Sequence, residues 1–298
     1  MSTTALLFPG QGSQYSGMGH DLYTASEAAR ARFAEADRLL GFGLSEIMFR
    51  GSAQDLTRTS VTQPAIYVHS VILAEVLGLA NQAHMAGGHS LGEFSALAVA
   101  GVFSFEDGLR LVAERAAAMQ AACDAQPSTM AAVVGLDDAT VEAICGEIEG
   151  IVVPANYNAP GQLVISGATA AVEAAVELAK SRGARLAKLL QVNGAFHSPL
   201  MQPAQERLAA AIAQTPLSAA RFPVYQNASA RPTTDPDTIR QLLTEQLTAP
   251  VRWTQSIEHM AADGAVRFIE VGPGKVLQGL VKRIASQAEV ESISTLNA

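Results

Sequence analysis

Cysteine, tryptophan and basic residues are all scarce in this chain of 298 residues, which carries two cysteines, one tryptophan, and 20 Lys and Arg against 28 Asp and Glu. Cys123 and Cys145 form no CxxC and have no histidine cluster nearby, so neither a disulfide framework nor a metal site is expected, and both read as buried small hydrophobes. The net charge of −8 argues against a nucleic-acid partner, because phosphate contacts need a surplus of cations; any acidic partner must meet a local basic patch. Aromatics are only 5% of the residues, which favours closely packed helices and tight turns over a sandwich of aromatic-rich strands. No apolar run approaches the roughly 20 residues that span a bilayer, and the opening MSTTALLFPGQG lacks the basic start and apolar stretch of a secretory signal. No membrane association is expected, and the location expected is cytoplasmic.

What is present is a hydrophobic share of 49%, enough to bury one large domain or a large and small pair. An α/β class fits. Leu6 to Phe8 read as the end of a buried strand that runs into Pro9-Gly10-Gln11-Gly12-Ser13-Gln14, a loop whose glycines permit close approach to a ligand. Helical periodicity covers 26–40 and 64–80, with Pro64 near a helix start, and 83–86 can be a strand feeding Gly87-Gly88-His89-Ser90. Leu91 to Ala100 read as a short buried helix ended by Gly101, and Ser104 with Asp107 reads as a capping box opening a helix over 105–122.

From 129 to 192 the pattern is strand, helix, two strands joined through Asn158-Ala159-Pro160-Gly161, helix, strand. That βαββαβ order predicts a small ferredoxin-like domain over 128–193, inserted in a large α/β-hydrolase-like domain formed by 1–127 and 194–298. The later chain resumes the α/β pattern, with a helix through 208–213, a strand near Val224, a helix over 253–263, a strand over 266–271 and a last helix from Val276.

Gly88-His89-Ser90-Leu91-Gly92 fits G-x-S-x-G, in which a strand turns sharply into a helix and presents the Ser hydroxyl at the tip. The Leu91 amide at the helix start could stabilise an oxyanion, and the Gly10-Gln11-Gly12 loop could supply a second donor or be an ordinary Gly-rich turn. Of six histidines, His69 lies in an apolar helical stretch and reads as a core residue, while His89 reads as support for the turn. His197 is the candidate base, because Ser198 and Pro199 after it would cap and start a helix whose positive end favours neutral imidazole. No acid between Ser90 and His197 announces itself as a third member.

Arg115 has Leu111, Val112, Ala118 and Met119 three and four positions away, so it is a charge on an apolar helical face. A buried guanidinium needs an anion, either a substrate carboxylate held by its planar fork or an internal Asp or Glu. Arg110, with Glu106, Asp107 and Glu114 at those offsets, reads as solvated and paired. Gly10-Gln11-Gly12 lacks the third glycine of a dinucleotide fingerprint, and Gly272-Pro273-Gly274-Lys275-Val276 lacks the spacing and final Ser or Thr of a P-loop.

Taken together, PGQGSQ (Pro9 to Gln14), GHSLGE (Gly88 to Glu93), Arg115, NYNAPGQ (Asn156 to Gln162), AFHS (Ala195 to Ser198), PVRW (Pro250 to Trp253) and VGPGK (Val271 to Lys275) resemble the malonyl-CoA:acyl carrier protein transacylase family, in the family's order and over nearly the whole chain. The resemblance implies that Ser90 is the nucleophile, His197 the base, Gln11 and Leu91 the oxyanion-hole amides, and Arg115 the residue that binds the malonyl carboxylate. It implies further that a backbone carbonyl orients the histidine, at a position matched to Arg252, and that no cofactor is bound. Phe196 before His197 resembles the AFH signature of malonyl-selective acyltransferases of polyketide systems. That favours malonyl over methylmalonyl and tilts the pathway towards polyketide rather than fatty-acid synthesis. Arg115 favours transfer over an alternative activity, hydrolysis of acyl groups on coenzyme A or carrier protein; a non-catalytic carrier-protein-binding module is the other competing class. The implied partners are malonyl-CoA and an acidic acyl carrier protein, met by Lys180, Arg182, Arg185 and Lys188 with Lys275, Lys282 and Arg283, and the protein is expected to be a monomer.

Overall fold

Residues 5–8 have no solvent exposure at all, which requires cover on both faces of the sheet they enter. Their side chains alternate between two apolar clusters: Leu6 and Phe8 enter one, Ala5 and Leu7 the other, the period-two signature of a strand. The computed structural model describes residues 3–192 and 194–296, and among them ten strands form two sheets. In chain order these are β1 (Thr3–Phe8), β2 (Met85–Gly88), β3 (Ser128–Val134), β4 (Val152–Ala159), β5 (Gln162–Ala168), β6 (Leu186–Leu189), β7 (Val224–Tyr225), β8 (Pro232–Thr233), β9 (Ala265–Val271) and β10 (Glu289–Ile293).

The larger sheet has the order β10-β9-β1-β2-β7-β8, parallel from β10 to β7, with only β8 antiparallel at the edge. The parallel register that sets Phe8 opposite Gly88 makes the loops after β1 and β2 leave the sheet side by side, at the carboxyl ends where α/β sheets place ligands. The smaller sheet is antiparallel, order β4-β5-β3-β6, with the helices Asp138–Glu147 and Thr169–Ser181 in its connections. It has its own apolar core, including Val141, Ile144, Leu163 and Val172. The smaller sheet is tied to the segment before the helix Trp253–Ala262, where Tyr157 N–H donates to the Val251 carbonyl at 2.9 Å and Val251 N–H to Ala155 at 2.8 Å.

Ser104 accepts a hydrogen bond from the Asp107 amide, as a capping box requires, and the helix it opens, Phe105–Ala125, runs slightly longer than its sequence periodicity. The helix expected over 64–80 instead spans Thr59–Val76, with Pro64 inside it rather than at its start. The helices His20–Ala25, Leu44–Arg50 and Pro236–Glu245 and the strand β10 are not among the elements expected from the sequence, although Asp235 caps the third helix and Pro236 opens it. Cys145 is buried, but Cys123 is only half-buried. Among the described residues no helix is long and apolar enough to cross a membrane. Residue 193, which ends the expected small domain, lies outside the described residues.

The tightest backbone contact lies at the junction of β1 and β2 with the helix Gly92–Val99. A Cβ on Gly92 would stand 2.0 Å from the Phe8 carbonyl oxygen, and one on Gly88 would stand 1.9 Å from the Gly92 carbonyl carbon. Backbone fills both places, so neither can give way. Gly92→Ala is therefore expected to destabilise the protein by about 3 kcal/mol or more, as overpacking of a rigid site does. Gly146→Ala, whose Cβ meets nothing within 4 Å, should instead gain roughly 0.5–1 kcal/mol from helix propensity. Unfolding midpoints of the two variants in denaturant check the contrast; equal shifts would contradict it.

Candidate active site

Ser90 stands between the end of β2 and the helix Gly92–Val99 with φ of +52°, a left-handed conformation that a non-glycine residue holds only when its surroundings impose it. The imposing group is Asn227. Its Oδ1 accepts the Ser90 amide at 2.7 Å and its Nδ2 donates to the Gly88 carbonyl at 2.7 Å, so one side chain pins both sides of the turn. The Asn227 amide in turn donates to Glu93 Oε2 at 2.6 Å, and burial pushes that fully buried carboxyl up to about 7.

Ser90 Oγ lies 2.7 Å from His197 Nε2. His197 is buried, and it too has a left-handed backbone, with φ of +58°. Its Nδ1 lies 2.9 Å from the Gln246 carbonyl and 3.2 Å from the Ala249 carbonyl. Carbonyls only accept, so the hydrogen-bond network places the proton on Nδ1 and leaves Nε2 as the acceptor for the Ser90 hydroxyl. The backbone carbonyl expected at Arg252 is elsewhere: it accepts from the Ser256 amide and hydroxyl in the helix Trp253–Ala262. Gln246 and Ala249 follow the helix Pro236–Glu245, where the carbonyls have run out of helical partners and remain free to accept. The cause of histidine neutrality also differs from the one expected. Burial first, then the Arg115 charge, pushes the imidazole down to about 3, and no helix end is needed.

Arg115 is 1% exposed and points from the helix Phe105–Ala125 at Ser90 Oγ. Nη2 donates to Ser90 Oγ at 2.9 Å and to Gln246 Oε1 at 3.1 Å, and Nη1 donates to Gln63 Oε1 at 2.7 Å. Of the two anions the sequence left open, the internal one is not a direct partner: Glu93 is felt only at a distance, and burial lowers the guanidinium to about 10. A cavity of about 310 Å³ opens over Ser90, Arg115 and His197, with Gln11 and Leu91 on its wall and Met119 and Phe196 on its apolar side. Among the described residues the Gln11 and Leu91 amides donate to no protein acceptor, whereas the Ser90 amide is occupied by Asn227. Two N–H groups from the carboxyl ends of neighbouring strands thus remain available beside the hydroxyl, the composition of an oxyanion site.

His89 supports the turn through a 2.8 Å bond from Nε2 to Asn158 Oδ1, and His69 is enclosed in the core, its imidazole lowered to about 4 by burial. Three residues that sequence reasoning missed complete the centre: Gln63, Asn227 and Gln246. Each is a neutral amide buried to within 2% of completeness, and a buried Gln or Asn carries no charge to betray it; the lone signal is that such a side chain must find partners. Among the described residues no group of His, Cys, Asp and Glu is arranged to hold a metal.

Residues 5–297 match a family model described as acyl transferase domain. The chain is 44% identical over 303 residues to the malonyl CoA-acyl carrier protein transacylase of Escherichia coli strain K12, with 100% of this chain and 98% of the relative covered. An acyl carrier protein S-malonyltransferase from Vibrio cholerae superposes with a TM-score of 0.96 at 41% identity, covering 99% of this chain and 98% of that one. A chain from the complex of a type II polyketide synthase acyl-carrier protein with its malonyl-transacylase gives a TM-score of 0.95 at 38% identity, covering 99% and 97%.

A lowered imidazole keeps its basic form as the medium acidifies. The rate at which a fluorophosphonate modifies Ser90 should therefore lose nothing to histidine protonation, staying level from about pH 8 down to about pH 5. An acid limb centred near the 6.5 of an ordinary histidine would show that His197 is not held neutral by its surroundings.

Proposed function

The chain belongs to the acyl transferase family, with the malonyl-CoA:acyl carrier protein transacylases, and on that premise we propose that Ser90 and His197 carry the malonyl group between two thiols. The protein is an acyltransferase of fatty-acid or polyketide synthesis, and malonyl-CoA and acyl carrier protein are its substrates. The observation that carries the assignment of residues is the convergence on one oxygen: Ser90 Oγ lies 2.7 Å from a neutral imidazole and 2.9 Å from a buried guanidinium.

In the first half-reaction the Ser90 hydroxyl gives its proton to His197 Nε2 as Oγ attacks the malonyl thioester carbon. The Gln11 and Leu91 amides hold the oxyanion. Collapse breaks the C–S bond, and the CoA thiolate leaves with the proton from His197, giving malonyl-serine. In the second half the phosphopantetheine thiol gives its proton to His197 and attacks the ester, and Ser90 recovers its proton on leaving. The Gln246 and Ala249 carbonyls orient the imidazole in place of a carboxylate. A thiolate is a good leaving group, so the dyad needs less acid assistance than amide cleavage does. Apart from the thiols of its two substrates, each of these steps uses groups of this chain and calls for no bound cofactor.

The carboxylate of a malonyl group lies two bonds beyond the carbon that Ser90 attacks, which puts it in reach of an arginine that already touches Oγ. A two-point pair there is charge-assisted and dry, the condition under which it discriminates. The same arginine favours transfer over hydrolysis as the end point.

We read the larger sheet as an α/β-hydrolase-like domain, 1–127 with 194–298, and the smaller as a ferredoxin-like insertion over 128–193. The support is the nucleophile elbow after a parallel strand and the antiparallel order β4-β5-β3-β6 of a βαββαβ unit. The reading includes a monomer in the cytoplasm, without nucleic-acid or membrane partners. The carrier protein meets the surface around β6, where Arg185 and Lys188 are exposed and the chain continues through Leu190 and Val192 into the cavity wall.

Intact-mass measurement should find one malonyl adduct after mixing with malonyl-CoA, none in Ser90→Ala, and its discharge by holo carrier protein. In Arg115→Ala, malonyl loading should fall about a hundredfold while acetyl loading changes only a few-fold; a variant that keeps its malonyl preference would remove Arg115 from the assignment. Charge reversal at Arg185 and Lys188 together should raise the carrier-protein KM about tenfold and leave the formation of malonyl-serine unchanged. An unchanged KM would take them out of the interface.

A further inference from the structure

Among the described residues only three side chains of Asp, Glu, Lys or Arg are buried: Arg115, Glu93 and Glu270. Glu270 caps the helix Val276–Ile284, whose Gln278 amide it accepts at 2.8 Å. That leaves Arg115 and Glu93, which act on each other through space without touching. Glu93 is fully buried in the first turn of the helix Gly92–Val99. Its Oε2 accepts the Asn227 amide at 2.6 Å, and among the described residues no protein donor reaches its Oε1. Such a carboxyl is costly as an anion and well tolerated as an acid, because a proton on the free oxygen displaces no existing bond. The elements packed against its helix are β1, β2 and the helices Thr59–Val76 and Phe105–Ala125. The two strands carry no titratable side chain. Thr59–Val76 brings the buried Tyr67 and His69, both neutral: burial pushes the phenol well above its ordinary value and the imidazole down to about 4. Burial also lowers His89 and His197 at the turn. Arg115 is thus the one buried charge that answers Glu93. Burial lifts the carboxyl to about 7, outweighing in falling order the Asn227 amide, the Gln246 side chain and the Arg115 charge.

We infer that Glu93 is a specificity-determining residue that takes up a proton when the carboxylate of an acyl group pairs with Arg115. The inference rests on the assignment of Ser90, His197 and Arg115 given above. A malonyl carboxylate seated on Arg115 claims the guanidinium charge and adds an anion beside it. The buried Glu93 anion then loses its counter-charge and accepts a proton from solvent. Malonyl-CoA, the Ser90 hydroxyl, ionised Glu93 and one solvent proton go to malonyl-serine, the CoA thiol and neutral Glu93, while the Ser90 proton leaves on the thiol as before. Acetyl brings no carboxylate and leaves Glu93 as it was. Below about pH 7 the carboxyl is already neutral, so the preference for malonyl has its full value. Above it, malonyl binding must draw a proton from an ever poorer supply, and the preference falls.

The ratio of kcat/KM for malonyl-serine formation to that for acetyl-serine formation cancels every ionisation the two reactions share. In the unmodified protein this ratio should fall about tenfold between about pH 6.5 and about pH 8.5. In Glu93→Gln, whose amide oxygen can keep the Asn227 bond and whose charge never changes, it should stay within about twofold. At about pH 7.5 a pH indicator in weak buffer should register about half a proton or more taken up per malonyl-serine formed, and none with acetyl-CoA. The inference is overturned if the ratio is level in the unmodified protein, if Glu93→Gln keeps the same slope, or if acetyl loading takes up as much. Should Glu93→Gln fail to fold, NMR of isotope-labelled glutamate carboxyls in the unmodified protein decides. One carboxyl should titrate at about pH 7 in the free protein and hold its protonated position at about pH 7.5 in the malonyl-serine form; a midpoint that malonylation does not raise overturns the inference. If the unmodified protein forms no malonyl-serine, the underlying assignment falls and this inference with it; if it loads malonyl with a preference that is level in pH, only the role of Glu93 falls.

Discussion

Everything at the centre depends on how closely two strand ends approach each other. The Gly92 backbone rests on the Phe8 carbonyl, with no room for a single methyl group between them. The His89 amide donates to the same Phe8 carbonyl at 2.9 Å, which ties the turn after β2 to the end of β1. This contact fixes Ser90 and Leu91 relative to the loop that carries Gln11, so the proposed nucleophile and oxyanion donors are positioned by backbone, which has less freedom than side chains. The positive φ of Ser90 is the conformational cost, and the two side-chain hydrogen bonds of Asn227 to the turn offset it.

Around this backbone frame the electrostatics follow from one decision, to bury a cation among amides. Arg115 supplies the second largest of the effects that keep His197 neutral, and it donates directly to Ser90 Oγ. In the proposed mechanism a single charge thus prepares the base, helps bear the negative charge that builds on Ser90 Oγ as its proton leaves, and faces the space for the acyl carboxylate. Glu93 makes no direct bond to Arg115, and burial raises its carboxyl to about 7, so it answers the cation only from a distance.

Much of this was legible in the residues. The elbow could be read because glycines flank Ser90 in a strand-to-helix context, and Arg115 because four apolar neighbours surround a charge. The antiparallel unit could be read from its alternation of periods, since each of its elements is long enough to show one. The short helices His20–Ala25 and Leu44–Arg50 could not, because at six and seven residues they span too few turns to show a period. The failure at Arg252 has a different origin. A backbone carbonyl has no residue type, so its place can be inferred only from where a helix ends, and the end of Pro236–Glu245 is marked by no glycine or proline. Gln63, Asn227 and Gln246 were silent because neutral amides look the same on a surface as in a core.

Gln246 joins these strands through atoms of two kinds. Its side chain accepts from Arg115 and donates to the Ser90 carbonyl at 3.0 Å, and its main chain accepts from His197. The first pair of contacts exists only while the residue is glutamine; the last exists whatever the residue is. A family of proteins could therefore drift at this position and still keep the histidine in place, while an alanine scan would report the loss of the side chain and never reach the carbonyl. The third partner of the proposed dyad is set by the path of the chain, not by any side chain.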